Sequence, residues 1–237
     1  MRAFLILGAF LASVAMVQAE VNTAFALTTV SSNAVYIPDG FDDNDQTLVV
    51  IEGSLASTCY QMTSPEIVRD PAAMTVAITA KANVNSGNCA PTPVPFNQEV
   101  DLGALSAGVW KVSVAGIDGV EELHVGRSST TGPDDYIYAP VERVRAEKEP
   151  VTGAWHISLR GKISVNCLEW KEARLLVQSR VLVVLPILEQ TSPDCLPSSV
   201  PFEREVTLPA DLPEGRYLVH VRALNGRAIN TVFDYSK

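Results

Sequence analysis

Trp155-His-Ile-Ser-Leu-Arg-Gly-Lys-Ile-Ser-Val-Asn-Cys167 decides the fold. Apolar or small residues fill every odd position, and polar or charged residues fill every even one. Period two over this length is a strand buried on one face, with a kink or bulge expected at Gly161. The same face reappears upstream in Val49, Ile51, Gly53, Leu55 and Cys59, so the cysteine is expected to point inward in both places. Around these strands the chain repeats itself. Gly53 precedes Cys59 by the same interval as Gly161 precedes Cys167, and Cys89 precedes Pro95-Phe96 as Cys195 precedes Pro201-Phe202. Gly108-Val-Trp-Lys-Val-Ser-Val matches Gly215-Arg-Tyr-Leu-Val-His-Val, and both runs lead to a turn, Asp118-Gly119 and Asn225-Gly226.

Short, evenly spaced apolar runs without capped helical periodicity indicate an all-β chain. The expected architecture is two tandem antiparallel β-sandwich domains with one disulfide each, at residues 20–125 and 136–237. Gly126 to Asp135, rich in Ser, Thr, Gly and Pro, reads as the linker. Strands are expected near 34–37, 48–58, 60–63, 74–81, 97–102, 109–115 and 120–125 in the first copy. In the second they are expected near 137–145, 155–166, 168–170, 175–185, 202–208, 216–223 and 227–234. Residues 20–33 read either as a leading strand or as a loose terminus. The two Asx-Gly pairs suit two-residue hairpins, whose central positions take positive φ.

Four cysteines allow three pairings. A duplicated module should close its own loop, so Cys59 is expected to pair with Cys89 and Cys167 with Cys195. The wide separations argue against zinc, whose ligands come in close pairs.

Residues 1–19 read as an export signal: Arg2, an apolar run from Ala3 to Val17, and a small-residue cleavage site at Val17-Gln18-Ala19. Export to a periplasmic or secreted location suits disulfides, and no membrane insertion is expected once the signal is removed. Residues 20–129 hold 13 acids and 4 bases, while residues 130–237 hold 14 acids and 13 bases. An acidic surface repels phosphate, which argues against nucleic acid as a partner.

At Leu212-Pro-Glu-Gly-Arg-Tyr217 the chain resembles the corner between the fifth and sixth strands of fibronectin type III and related immunoglobulin-like sandwiches. The resemblance implies that the Tyr217 hydroxyl ties the corner to nearby backbone; the first copy has Trp110 there. A wider pattern is similar to tandem modules of exported bacterial proteins. It runs Tyr36-Ile-Pro-Asp-Gly-Phe-Asp-Asp-Asn-Asp, then Gly…Cys-Tyr, then Cys…Pro-Phe. It implies a fold and a compartment and carries no activity. The second cysteine, lying before the Pro-Phe strand, departs from antibody domains.

Candidate chemistry is sparse. Alternation places His124, His156 and His220 on outer, solvated faces, and no nucleophile, phosphate-loop or metalloprotease motif is present. The chain is therefore expected to be a non-enzyme without a cofactor. Asp42, Asp43, Asn44 and Asp45 offer oxygen ligands that suit calcium. The spacing resembles cadherin calcium linkers, although Gln46 stands where that pattern has Asn. A plain solvated turn of Asp and Asn is the preferred reading.

One difference between the copies points to an interface. Thr75, Ala77 and Thr79 in the first become Val181, Val183 and Leu185 in the second, on the face turned away from the core. Exposed aliphatic surface marks a contact: either an external protein partner, or burial under residues 20–33, under the linker or against the first domain. Protein binding is the expected role. A carbohydrate or small-molecule module using Tyr60, Tyr136 and Tyr138 is the alternative, with protease inhibition through a loop at Asn83–Val94 as a third.

Overall fold

The alternating segments form strands throughout, in a computed structural model that describes residues 25–237. The expected export signal and residues 20–24 lie outside the described residues. In the first copy the strands are β1 (Phe25–Thr29), β2 (Ser32–Tyr36), β3 (Phe41–Asp42), β4 (Thr47–Leu55), β5 (Tyr60–Met62) and β6 (Glu66–Asp70), followed by β7 (Thr75–Thr79), β8 (Lys81–Asn85), β9 (Val94–Gly103), β10 (Gly108–Val114) and β11 (Glu121–Gly126). In the second they are β12 (Val141–Lys148), β13 (Trp155–Val165), β14 (Leu168–Gln178), β15 (Val181–Gln190), β16 (Pro197–Thr207), β17 (Gly215–Ala223) and β18 (Arg227–Tyr235). No helix occurs among the described residues.

Equivalent strands pair equivalently. Sheet β2-β4-β9 corresponds to β12-β13-β16, and β6-β7-β10-β11 corresponds to β14-β15-β17-β18. The first copy adds β3 beside β11 and a separate sheet, β1-β8-β5. Residues 20–33 thus contain a leading strand, β1. Each copy has its own apolar core: Val49, Ile51, Ile78, Val100 and Trp110 in one, and Ile157, Leu159, Leu182, Val219 and Tyr217 in the other.

The all-antiparallel expectation is corrected. Strands β7 and β10 run parallel, as do β15 and β17, and β3 runs parallel to β11. The chain leaves β7 through β8, crosses to the other sheet as β9, and returns as β10 in the original direction. A second correction concerns residues 175–185, expected as one strand. They contain a hairpin whose turn is Ser179-Arg180, with Ser179 at φ 51°. Strand β6, in the unassigned stretch after residue 63, forms the matching hairpin with β7.

The repeated Gly…Cys…Pro-Phe pattern has a steric cause. Gly53 lies opposite Phe96 and Gly161 opposite Phe202 in their ladders. A Cβ on Gly53 would come within 2.6 Å of the Phe96 ring and 2.8 Å of the Ser31 carbonyl. On Gly161 it would strike the Phe202 ring and the Pro140 carbonyl. In both copies the neighbouring strand shifts register opposite this glycine, at Ser32/Ala34 and at Val141/Arg143. The aromatic ring therefore covers a glycine that lets the bulged strand close in.

The disulfides join Cys59 to Cys89 and Cys167 to Cys195, with Cα–Cα separations of 5.3 and 5.0 Å. Each links the turn after β4 or β13 to the segment entering β9 or β16, so it staples two neighbours of one sheet. Both strands end before the cysteine, which therefore sits in the following turn. Cys167 is buried and Cys59 half-buried. The corner bond exists in both copies: the Tyr217 hydroxyl donates to the Pro213 carbonyl at 2.7 Å, and Trp110 Nε1 donates to the Ser106 carbonyl at 2.9 Å. Tryptophan reaches the same backbone position, four residues upstream, with its ring N–H.

Asn225 and Gly226 both take positive φ, in a connection that also includes Leu224. At Asp118-Gly119 only the glycine does, and the β10–β11 connection is longer than two residues.

Candidate functional site

The residues singled out as a possible interface meet the first copy. Val181 and Val183, with Leu218, form one apolar cluster with Tyr36 and Val50; Leu185, Val232, Ala34 and Leu48 pack around it. The outer face of β15-β17-β18 thus lies on the outer face of β2-β4. Strands β4, β15 and β17 are buried on both faces along most of their length. The aliphatic patch is a seam within the chain, and the external-partner reading of Val181, Val183 and Leu185 is corrected. Full burial of each such aliphatic side chain stabilises the seam by about 1.5–3 kcal/mol.

Polar groups frame this patch. Arg216 Nε donates to Glu52 Oε1 at 2.6 Å and its Nη1 to Asp234 Oδ2 at 2.8 Å. The other Glu52 oxygen accepts the Tyr36 hydroxyl at 2.9 Å, and burial followed by this bond pushes the Tyr36 pKa up. The Gln178 amide exchanges two bonds with Asp39, one to its backbone N–H and one to its carboxylate.

The acidic turn completes the seam: the solvated reading is corrected for Asp42 and Asp45, which are buried, whereas Asp43 is exposed and Asn44 half-buried. Asp45, 2 % exposed, accepts from Arg222 Nη1 at 3.0 Å, and Arg222 is itself 5 % exposed. Arg222 also donates to the Gly40 carbonyl and lies 4.6 Å from the centroid of the Phe41 ring. Asp43 accepts the Ser128 N–H at 2.9 Å, which holds its carboxyl below the usual range. Asn44 donates to the Thr130 and Gly132 carbonyls, and Asp42 is buried beside Asp45, so desolvation and then that neighbour raise its pKa. At the far end of the linker, the Asp134 carboxylate accepts the N–H groups of Asn225 and Gly226, each at 2.7 Å. The side chains read as calcium ligands are thus directed at an arginine, the linker and their own turn. No cluster of three metal-ligating side chains occurs among the described residues.

The three histidines diverge. His124 is exposed, 3.6 Å from Glu122. His156 lies on an outer face between Glu147 and Glu205. His220 corrects the solvated reading: its strand does turn it away from the second core, but packing at the seam leaves it no exposed surface. Its Nδ1 lies 2.8 Å from Asn230 Oδ1, and its ring meets Phe41 edge-on at 5.7 Å. Alternation gives the direction of a side chain and not what lies beyond it.

The rival sites fare differently. Tyr138 is buried, Tyr136 is exposed with the Arg174 guanidinium 5.2 Å from its ring centroid, and Tyr60 sits on β5 in the other copy, so these three form no shared aromatic platform. The proposed inhibitory loop begins as strand β8, after which Ser86 to Pro93 are exposed apart from half-buried Cys89.

The two copies leave opposite faces free. On the first, β6-β7-β10-β11 presents Glu66, Val68, Asp70, Thr75, Ala77, Lys111 and Glu122. On the second, β12-β13-β16 presents Arg143, Arg145, His156, Arg160, Lys162, Glu203 and Glu205. Glu203 pairs with Arg160, and Arg145 lies 3.8 Å from Glu147. Arg143 and Lys162 have no salt-bridge partner among the described residues, and they flank a shallow cavity of about 390 Å³ over Gly161 and Phe202.

Residues 49–124, from β4 to β11, match the family model described as the ORF11 beta-sandwich domain. No curated protein and no solved structure matches the chain. A β-sandwich with disulfides is therefore shown. The two disulfides fit an extracellular or secreted protein. Among the described residues no helix is long and apolar enough to cross a membrane.

Proposed function

We propose that this is a non-enzymatic, exported protein of two immunoglobulin-like sandwich domains that acts by binding another protein at the cell envelope. One observation carries the reading. In the first copy the outer face of the three-stranded sheet is a docking surface, occupied by the second copy. The equivalent face of the second copy bears Arg143 and Lys162, neither with a carboxylate within salt-bridge distance among the described residues, although Glu142 and Glu203 line the same cavity. Its chemistry suits a protein that presents carboxylates, since cations on a sheet surface steer and orient an acidic partner more than they add affinity.

The test is recovery of a discrete envelope protein by the full-length mature chain, compared with the Arg143→Glu/Lys162→Glu chain. Loss of that protein with the double variant supports the reading, and equal recovery by both chains overturns it. Exposure of residues 86–92 beside a disulfide keeps protease inhibition as a second reading. Slow cleavage within that loop by an extracellular protease, with inhibition of the enzyme, would favour it.

A further inference from the structure

His220 occupies an unusual position for a titratable group. It sits at the seam between the copies with no exposed surface, and Nε2 has no hydrogen-bond partner among the described residues. Nδ1 is committed to Asn230 on β18, and on β15 its cross-strand neighbour is Val183, which offers no polar group. From the first copy, Phe41 packs on the ring. The nearest charge is Arg222, two residues along its own strand, which Asp45 of the acidic turn neutralises. Asp42 belongs to the same turn, and the Glu52–Arg216–Asp234 group with Tyr36 lies further along the seam. No carboxylate lies within salt-bridge distance of the imidazole among the described residues. A proton arriving on Nε2 would create a second cation beside Arg222 in a dry interface, with no acceptor to receive it.

We propose that the seam is acid-sensitive, with protonation of His220 weakening the docking of the second copy on the first. Burial first, and the Arg222 charge against the Asn230 bond, lower its pKa from 6.5 to about 4 in the docked chain. Undocking returns the ring to water and to its ordinary value. The separated state therefore binds more protons at any pH between these values. Docking is fully supported above the ordinary value and is lost progressively as pH falls toward the depressed one. Between pH 7.5 and pH 5 the docking constant should fall about thirtyfold. Asp42, whose carboxyl is pushed up, works in the opposite direction. Comparison with the His220→Gln chain, which keeps Asp42, isolates the histidine.

The experiment uses the full chain with fluorophores at exposed positions of the two copies, Val120 and Val151. Separation is followed by energy transfer through a urea titration at pH 7.5 and at pH 5, each extrapolated to zero urea. The expected result is a docking constant about thirtyfold lower at pH 5 in the native chain and changed less than about threefold in His220→Gln. An unchanged constant in the native chain, or an equal fall in the variant, overturns the proposal. If His220→Gln does not fold, the imidazole of the native chain is titrated by nuclear magnetic resonance. A midpoint well below 6.5 supports the proposal, and a midpoint at the ordinary value overturns it.

Discussion

The outer face of β7-β10-β11 in the first copy and that of β15-β17-β18 in the second occupy the same place in the same fold, yet one meets water and the other meets protein. The first carries Thr75, Ala77, Lys111 and Glu122, and the second Val181, Val183, Leu218 and His220. The three-stranded sheets show the reverse. Leu48, Val50 and Glu52 are covered in the first copy, whereas His156, Ser158, Arg160 and Lys162 stand at the outer positions in the second. The cores are nearly interchangeable, and the outer positions record which neighbour each sheet has.

The largest effect should come from the buried ion pair. Arg222→Leu leaves Asp45 charged and unpaired in the seam, at a cost of about 3–5 kcal/mol, read as a lowered urea midpoint of the full chain. Arg160→Ala, which breaks an exposed pair with Glu203 on the free face, should cost no more than about 1 kcal/mol. If the two substitutions cost the same, the seam is not dry.

Next is a matched pair of lysines. Val183→Lys should destabilise the chain by on the order of 2–4 kcal/mol, because it places a charge in the apolar cluster. Ala77→Lys, at the corresponding outer position of the first copy, should stay within about 0.5 kcal/mol in the same denaturation experiment. A large effect at Ala77 would show that the first copy's free face is covered in solution.

The smallest test concerns a feature the copies share. Tyr217→Phe removes only the hydroxyl and should cost about 1 kcal/mol by calorimetry, the value of one ordinary hydrogen bond. Trp110→Phe should cost more, since a smaller ring also leaves a void in the core. No loss at Tyr217 would mean that the corner is held by packing alone.

Much of this was legible in the chain. Alternation marked β4 and β13, the repeat paired the cysteines, and the Val181–Leu185 run marked a contact face without saying whether this chain or another covers it. Other features were hidden for identifiable reasons. The turn at Ser179-Arg180 has no Gly, Pro or Asn, and the apolar residues on either side read as one strand. The parallel pairing of β15 with β17 depends on how the intervening strand crosses between sheets, which local pattern does not express. The role of Asp42 to Asp45 was invisible because its partners, Arg222, Ser128, Thr130 and Gly132, are distant in sequence.

The tether between the halves changes how strong their contact has to be. Residues 126–135 hold the second sandwich near the first at an effective concentration in the millimolar range, as short linkers do. Their anchoring by Asp43, Asn44 and Asp134 narrows the search further. Two separate halves with a Kd of about 1 μM would therefore be apart in only about one tethered chain in a thousand. A thirtyfold weakening would raise that to about three in a hundred. A ligand that bound only the open form would then capture the chain about thirty times more readily at pH 5 than at pH 7.5, with no change in its own contacts.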